Sequence, residues 1–161
     1  MTKSIYAALL LAGTSLGLAS CGNETEEPAA IVDENAIAGV EVTNARLVLP
    51  PVAGNPAAIY FDLANNGDRN LAFRNAEVAG AGRAEIHDTI MEDDKMVMGE
   101  APPILVESGG TVSFEPGGKH IMVFELAENI AEGATTEVTL IAAGNRRHTF
   151  EATVRSAGDD R

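Results

Sequence analysis

The stretch KHIMVFEL, residues Lys119–Leu126, reads as a β-strand, and its reading extends to most of the chain. Ile121, Val123 and Leu126 are residues that a core takes up. His120 and Met122 stand two positions apart, so on a strand their side chains leave the same face. An imidazole followed by a thioether on one face asks for a chemical reason.

Outward from this segment, short runs rich in β-branched residues recur on both sides. They are VEVTNARLVL (Val40–Leu49), AAIYFDLA (Ala57–Ala64), RAEIHDTIM (Arg83–Met91), KMVM (Lys95–Met98), TVSFE (Thr111–Glu115), TTEVTLIA (Thr135–Ala142) and RRHTFEATV (Arg146–Val154). Several alternate apolar with polar residues. Turn formers punctuate them: Pro50-Pro51, Asn65-Asn66-Gly67-Asp68, Asp93-Asp94, Gly109-Gly110, Pro116-Gly117-Gly118 and Gly144-Asn145. No stretch sustains a helical apolar stripe, and NIAEGA (Asn129–Ala134) has room for one helical turn at most. Many short strands at this spacing predict an all-β domain, a sandwich or small Greek-key barrel, with no internal repeat and no second domain.

The chain has 161 residues, the size of one domain with an appended segment. It begins MTKSIYAALLLAGTSLGLASC, in which Lys3 precedes a long apolar run without an acidic residue. That is the pattern of a secretory signal. The run closes on Leu18-Ala19-Ser20-Cys21, which resembles the lipobox of bacterial lipoproteins. The resemblance implies cleavage before Cys21 and a diacylglycerol thioether on its sulfur. Residues 1–20 are therefore expected to be a lipoprotein signal peptide and 21–39 a lipidated Cys with an acidic flexible tether. Residues 40–156 are expected to form the β domain and 157–161 a C-terminal tail. The expected location is the periplasm, anchored by lipid to a membrane. Asn23 follows Gly22 after Cys21, and the lack of Asp there favours the outer membrane by analogy with lipoprotein sorting.

The chain carries 11 basic and 24 acidic residues, a net charge of −13. Removing residues 1–20 takes away Lys3 alone, leaving 10 against 24, or −14. Such a surface repels phosphate backbones, which argues against a nucleic-acid partner. Cys21 is the only cysteine. Once it is lipidated the domain has no thiol, so neither a disulfide nor a cysteine metal site is available. Enzyme templates are also missing: there is no G-x-S-x-G, Walker loop or H-E-x-x-H. Asp88 beside His87 does not make an acid–base pair, because neighbours on a strand point to opposite faces.

Beyond the leader there are four methionines, Met91, Met96, Met98 and Met122, all inside a 32-residue window. His87 and His120 lie beside or within it. Core filling gives no reason for methionine to avoid the other strands. On a strand, His120 and Met122 have Cα atoms about 6.6–6.8 Å apart, close enough for the two side chains to converge on one ion. Thioether sulfur is a soft neutral ligand that favours Cu(I) over Zn²⁺, Mg²⁺ or Ca²⁺. A blue-copper electron-transfer site would need a Cys beside its histidines, and none is present.

From His87, ten residues intervene before Met98, twenty-one before His120 and one before Met122. This His-x10-Met-x21-His-x-Met spacing resembles the PCuAC family of periplasmic copper chaperones. The surrounding segments AEIHDTIMEDDKMVM and GGTVSFEPGGKHIMVFEL are similar to that family's copper-site hairpins and the strand after them. AAIYFDLANNGDRNLAF (Ala57–Phe73) fits its second strand, turn and third strand, and the likeness runs from about Val40 to Val154. The resemblance implies a cupredoxin-like β-barrel that binds one Cu(I) through His87, Met98, His120 and Met122. It also implies a copper-accepting partner, a site of respiratory cytochrome c oxidase or another assembly factor, and no enzymatic activity.

Met96 lies two residues before Met98 and is an alternative ligand on the same face. Met91, about 13 Å from His87 along an ideal strand, is expected to pack. His148 falls outside the pattern and is expected to be an ordinary histidine. Glu92, Asp93 and Asp94 form an acidic hairpin tip near the site. Two other readings stand beside the chaperone: a β-sandwich binding or scaffold module without metal, and a periplasmic copper storage or tolerance protein. A copper oxidoreductase is disfavoured, because two thioethers oppose access to Cu(II).

Overall fold

The computed structural model describes residues 36–92 and 95–158. The expected signal peptide, Cys21, most of the expected tether, the Asp93-Asp94 tip and the last residues of the tail lie outside the described residues. Ten strands account for most of the rest. They are β1 (Val40–Val48), β2 (Ala57–Asn65), β3 (Leu71–Val78), β4 (Ala81–Glu92), β5 (Lys95–Glu100), β6 (Ile104–Val106), β7 (Thr111–Phe114), β8 (His120–Leu126), β9 (Thr135–Ala142) and β10 (Arg146–Arg155). Asn129–Ala134, which has room for one helical turn at most, forms non-helical turns, and no helix occurs among the described residues.

The strands hydrogen-bond in one path, β5-β4-β8-β2-β1-β10-β9-β3-β6. β7 joins β2 along the edge that β8 also uses, β8 at Ala57–Ile59 and β7 at Phe61–Ala64. Pairing between these strands is antiparallel except for β1 with β10, where Arg46 lies beside Thr153.

Period-2 alternation selects the core. Along β2, Ala57, Ile59, Phe61 and Leu63 are buried while Asp62 is exposed. Ile121 and Val123 of β8, Ile86 of β4, and Val138, Leu140 and Ala142 of β9 do the same from other parts of the path. All belong to one apolar cluster, so the sheet curls around its own centre as a cupredoxin-like all-β barrel. Phe61 stacks on Phe114 with ring centroids 4.2 Å apart. Burying each such side chain contributes about 1.5–3 kcal/mol.

Three findings differ from the sequence reading. The fold takes in Ala36 and Ile37, which the tether was expected to include: Ile37 is 5% exposed, and its N–H donates to the Arg147 carbonyl at 2.9 Å. Gly39 then passes so close to Gly67 that a Cβ would lie 2.8 Å from its backbone nitrogen. Its φ of 79° also favours glycine. β6 has no periodic signal because its three residues, with Ile104 and Val106 buried, are too few to show one. Asn65, expected only as a turn former, is 1% exposed. Its side-chain amide donates to the carbonyls of Arg69, Val106 and Glu107, and its Oδ1 accepts from Gly67 N–H. It therefore ties the β2–β3 turn to the end of β6.

Candidate metal centre

The apolar side of β4 and β8 faces the core through Ile86, Ile121 and Val123. Alternation sends the residues between them to the outer face. There His87 of β4 lies directly opposite His120 of β8. Their rings are 5.8 Å apart between centroids and inclined at 58°. One row along, Met122 lies opposite Glu85. One row the other way, Met98 of β5 lies opposite Thr89. Three consecutive cross-strand rows thus carry His87, Met98, His120 and Met122 on one face. The rise of a strand separates successive rows by about 6.6–6.8 Å.

The histidines are held by different means. His120 is 4% exposed, and its Nδ1 donates to the Gly118 carbonyl at 2.9 Å. That bond fixes the tautomer and leaves Nε2 with its lone pair. Tyr60 of β2 packs near the ring, 6.3 Å between centroids. The His87 side chain is 14% exposed, and its Nε2 donates to the Glu85 carboxylate at 3.0 Å. Glu85 also pairs with Arg83. The hydrogen bond from His87 is the largest influence on the Glu85 carboxyl and holds it below the usual range; burial opposes this, and the positive charge of Arg83 adds to it. His87 Nδ1 is left buried with no hydrogen-bond partner. A buried, unpartnered imidazole nitrogen costs free energy unless something binds it.

Among the described residues, no group of three or more His, Cys, Asp or Glu is arranged to hold a metal ion. Met122 is half-buried and Met98 is 56% exposed. The expectation that Met91 packs is overturned. Met91 lies opposite Met96 at the far end of the β4–β5 hairpin, and the two are 65% and 70% exposed. The hairpin extends beyond its pairing with β8, which ends at His87, and among the described residues no strand pairs with β4 beside Met91 on that side. Met96 shares the outer face with Met98 but lies a row further from the histidines. His148, opposite Leu140 on β10, is remote in the sheet from β4 and β8. Asp88 points away from His87 and pairs with Lys119 at 3.0 Å. Glu85 is the residue that sequence reasoning missed. Its place two before His87 in RAEIHDTIM, hence on the same face, was the available signal.

Residues 40–154 match the LpqE-like family, whose description is of a lipoprotein. The lipoprotein-named Lxx21020 of Leifsonia xyli subsp. xyli (strain CTCB07) is 27% identical over 143 residues, covering 87% of this chain and 84% of that protein. The copper-bound PCuAC domain from PmoF2 has a TM-score of 0.60 at 19% identity, covering 75% of this chain and 96% of that one. The CuI form of DR1885 from Deinococcus radiodurans has a TM-score of 0.58 at 24% identity, covering 78% and 84%. Likeness at these identities establishes the fold. The chain belongs to the LpqE-like family, and its domain has the fold of the PCuAC domains.

Proposed function

We propose that the domain is a copper chaperone that carries one Cu(I) on the outer face of β4, β5 and β8. His87, Met98, His120 and Met122 are its ligands in this reading. The observation that carries it is the buried, unpartnered Nδ1 of His87, in a ring 5.8 Å from that of His120. The tautomers fit: with Nε2 of His87 donating to Glu85 and Nδ1 of His120 donating to Gly118, each ring offers one lone pair. Two neutral imidazoles and two thioethers suit a soft monovalent ion. The copper-bound PmoF2 domain and the CuI form of DR1885, which share the fold, support the same cargo.

Delivery follows from exposure. Met98 is 56% open to solvent, whereas His120 is 4% exposed. An incoming thiolate or thioether of a copper-accepting protein can replace Met98 first, with the buried histidines leaving last. No electron moves, and Cu(I) stays Cu(I). The recipient in this reading is a respiratory copper site such as that of cytochrome c oxidase, or another assembly factor. The lipoprotein names of the family and of Lxx21020 support an extracytoplasmic, membrane-anchored chain with Cys21 as the lipidated residue.

Competition against a chromophoric Cu(I) chelator tests the site. His120→Ala and Met122→Ala should each weaken Cu(I) by at least about tenfold, or ~1.4 kcal/mol. Their effects should be non-additive, as for residues sharing one ion. His148→Ala should leave affinity unchanged. Wild-type affinity in both His120→Ala and Met122→Ala would refute the ligand set. For the anchor, lipid labelling that persists in Cys21→Ala would remove that assignment.

A further inference from the structure

The ligand face continues past the proposed site. After the row of His87 and the row of Thr89 and Met98, the next row pairs Met91 directly with Met96. Side chains opposite each other in an antiparallel pair have Cβ atoms about 4.5–5.5 Å apart, within reach of one ion. Both thioethers are exposed, at 65% and 70%. On a chain of net charge −13, two facing methionines kept in solvent are not explained by packing.

We infer that Met91 and Met96 form a second, outer soft-metal site, at which Cu(I) is held on its way to or from the inner four-ligand site. This inference rests on the copper-chaperone reading. Successive rows are about 6.6–6.8 Å apart, so Met98 stands one row from the outer pair and one from the histidines. Transfer is ligand exchange alone. A sulfur lone pair of Met98 binds the ion as Met91 or Met96 releases it, and neither a proton nor an electron is displaced. Two neutral ligands make a weaker site than four, so the outer pair fills second and empties first.

The test uses methionine methyl resonances of the apo protein during titration with Ag(I), and separately with Cu(I) under reducing conditions. The first equivalent should shift Met98 and Met122, and the second should shift Met91 and Met96. Leucine keeps the apolar surface and removes sulfur. In Met91→Leu/Met96→Leu the second equivalent should weaken at least about tenfold while the first is unchanged. Methyls of Met91 and Met96 that stay in place through several equivalents would overturn the outer site. So would a second equivalent indifferent to the double substitution, which would make the pair an apolar contact surface. Loss of first-equivalent affinity in Met96→Leu alone would also overturn it, by making Met96 an inner ligand. Shifts at Met91 and Met96 without any at Met98 or Met122 would sink the inner ligand set and leave the outer site standing.

Discussion

Glu85 offers a sharp test because it touches the ligand and not the ion. Its carboxylate accepts from His87 Nε2–H at 3.0 Å, which orients the ring and reserves Nδ1 for binding. Replacing it by alanine removes the acceptor, lets the other tautomer compete and frees the ring to turn. Losing such an orienting partner costs about 10–100-fold in metal affinity. That range corresponds to ~1.4–2.8 kcal/mol. Stability should change little, since the Arg83 pair that also disappears is solvent-accessible and such pairs contribute about 0–1 kcal/mol. Glu85→Gln keeps an uncharged acceptor and should fall between wild type and alanine. Asp88→Ala, which removes the pair with Lys119 and the hydrogen bond that Asp88 accepts from the Thr89 backbone N–H but leaves His87 and Glu85 untouched, is the control. Chelator competition at neutral pH reads all three variants, alongside thermal melts of the apo forms. The reasoning fails if Glu85→Ala binds Cu(I) as tightly as wild type while His87→Ala does not.

Other expectations follow from packing and titration. The apo domain should unfold cooperatively, since a core of this size needs no metal. Copper should then raise its melting temperature by mass action, and an apo form that is already unfolded by circular dichroism would contradict this. Asn65→Ala should cost about 3 kcal/mol in denaturant unfolding, because three carbonyls lose one buried donor group. A cost below ~1 kcal/mol would show that water replaces the amide readily. Burial lowers the pKa of His148 from the ordinary 6.5, more than a hydrogen bond to the Ile37 backbone raises it. Below pH 6.5 the unfolded chain therefore binds the proton first. The contribution of His148 to stability is complete above that pH and declines as pH falls towards the folded value. Acidification from pH 7 to pH 5 should lower the apo melting temperature more in wild type than in His148→Gln; equal slopes would refute the assignment.

Strand content was legible where alternation ran long enough. TTEVTLIA gives β9 residue for residue, and Lys119–Leu126 gives β8 to within one. β6 was not legible, because a three-residue strand after Pro102-Pro103 has no period to detect. β1 does begin at Val40, but the part that Ala36 and Ile37 play in the fold was not legible because AIAG is locally featureless. Ile37 joins the core through pairing with Arg147, which is distant in sequence. His120 and Met122 were visible as a pair from strand geometry alone. His87 and Met98 came from the spacing pattern, and only the register of β4 with β8 and β5 brings them to the same face. The exposure of Met91 depends on how far the hairpin overhangs its neighbour, a property of tertiary pairing that local sequence does not encode.

The parallel pairing of β1 with β10 bears on when the domain can form. Arg46 and Thr153 are 107 positions apart (153 − 46), and the contact between them must close nearly the whole domain into a loop. Contacts of such separation are entropically expensive and come late, which places folding in the slow range of about milliseconds to seconds. During synthesis the N-terminal strand emerges first and waits, one edge bare, for the last strand of the domain. A nascent chain cannot complete the barrel early.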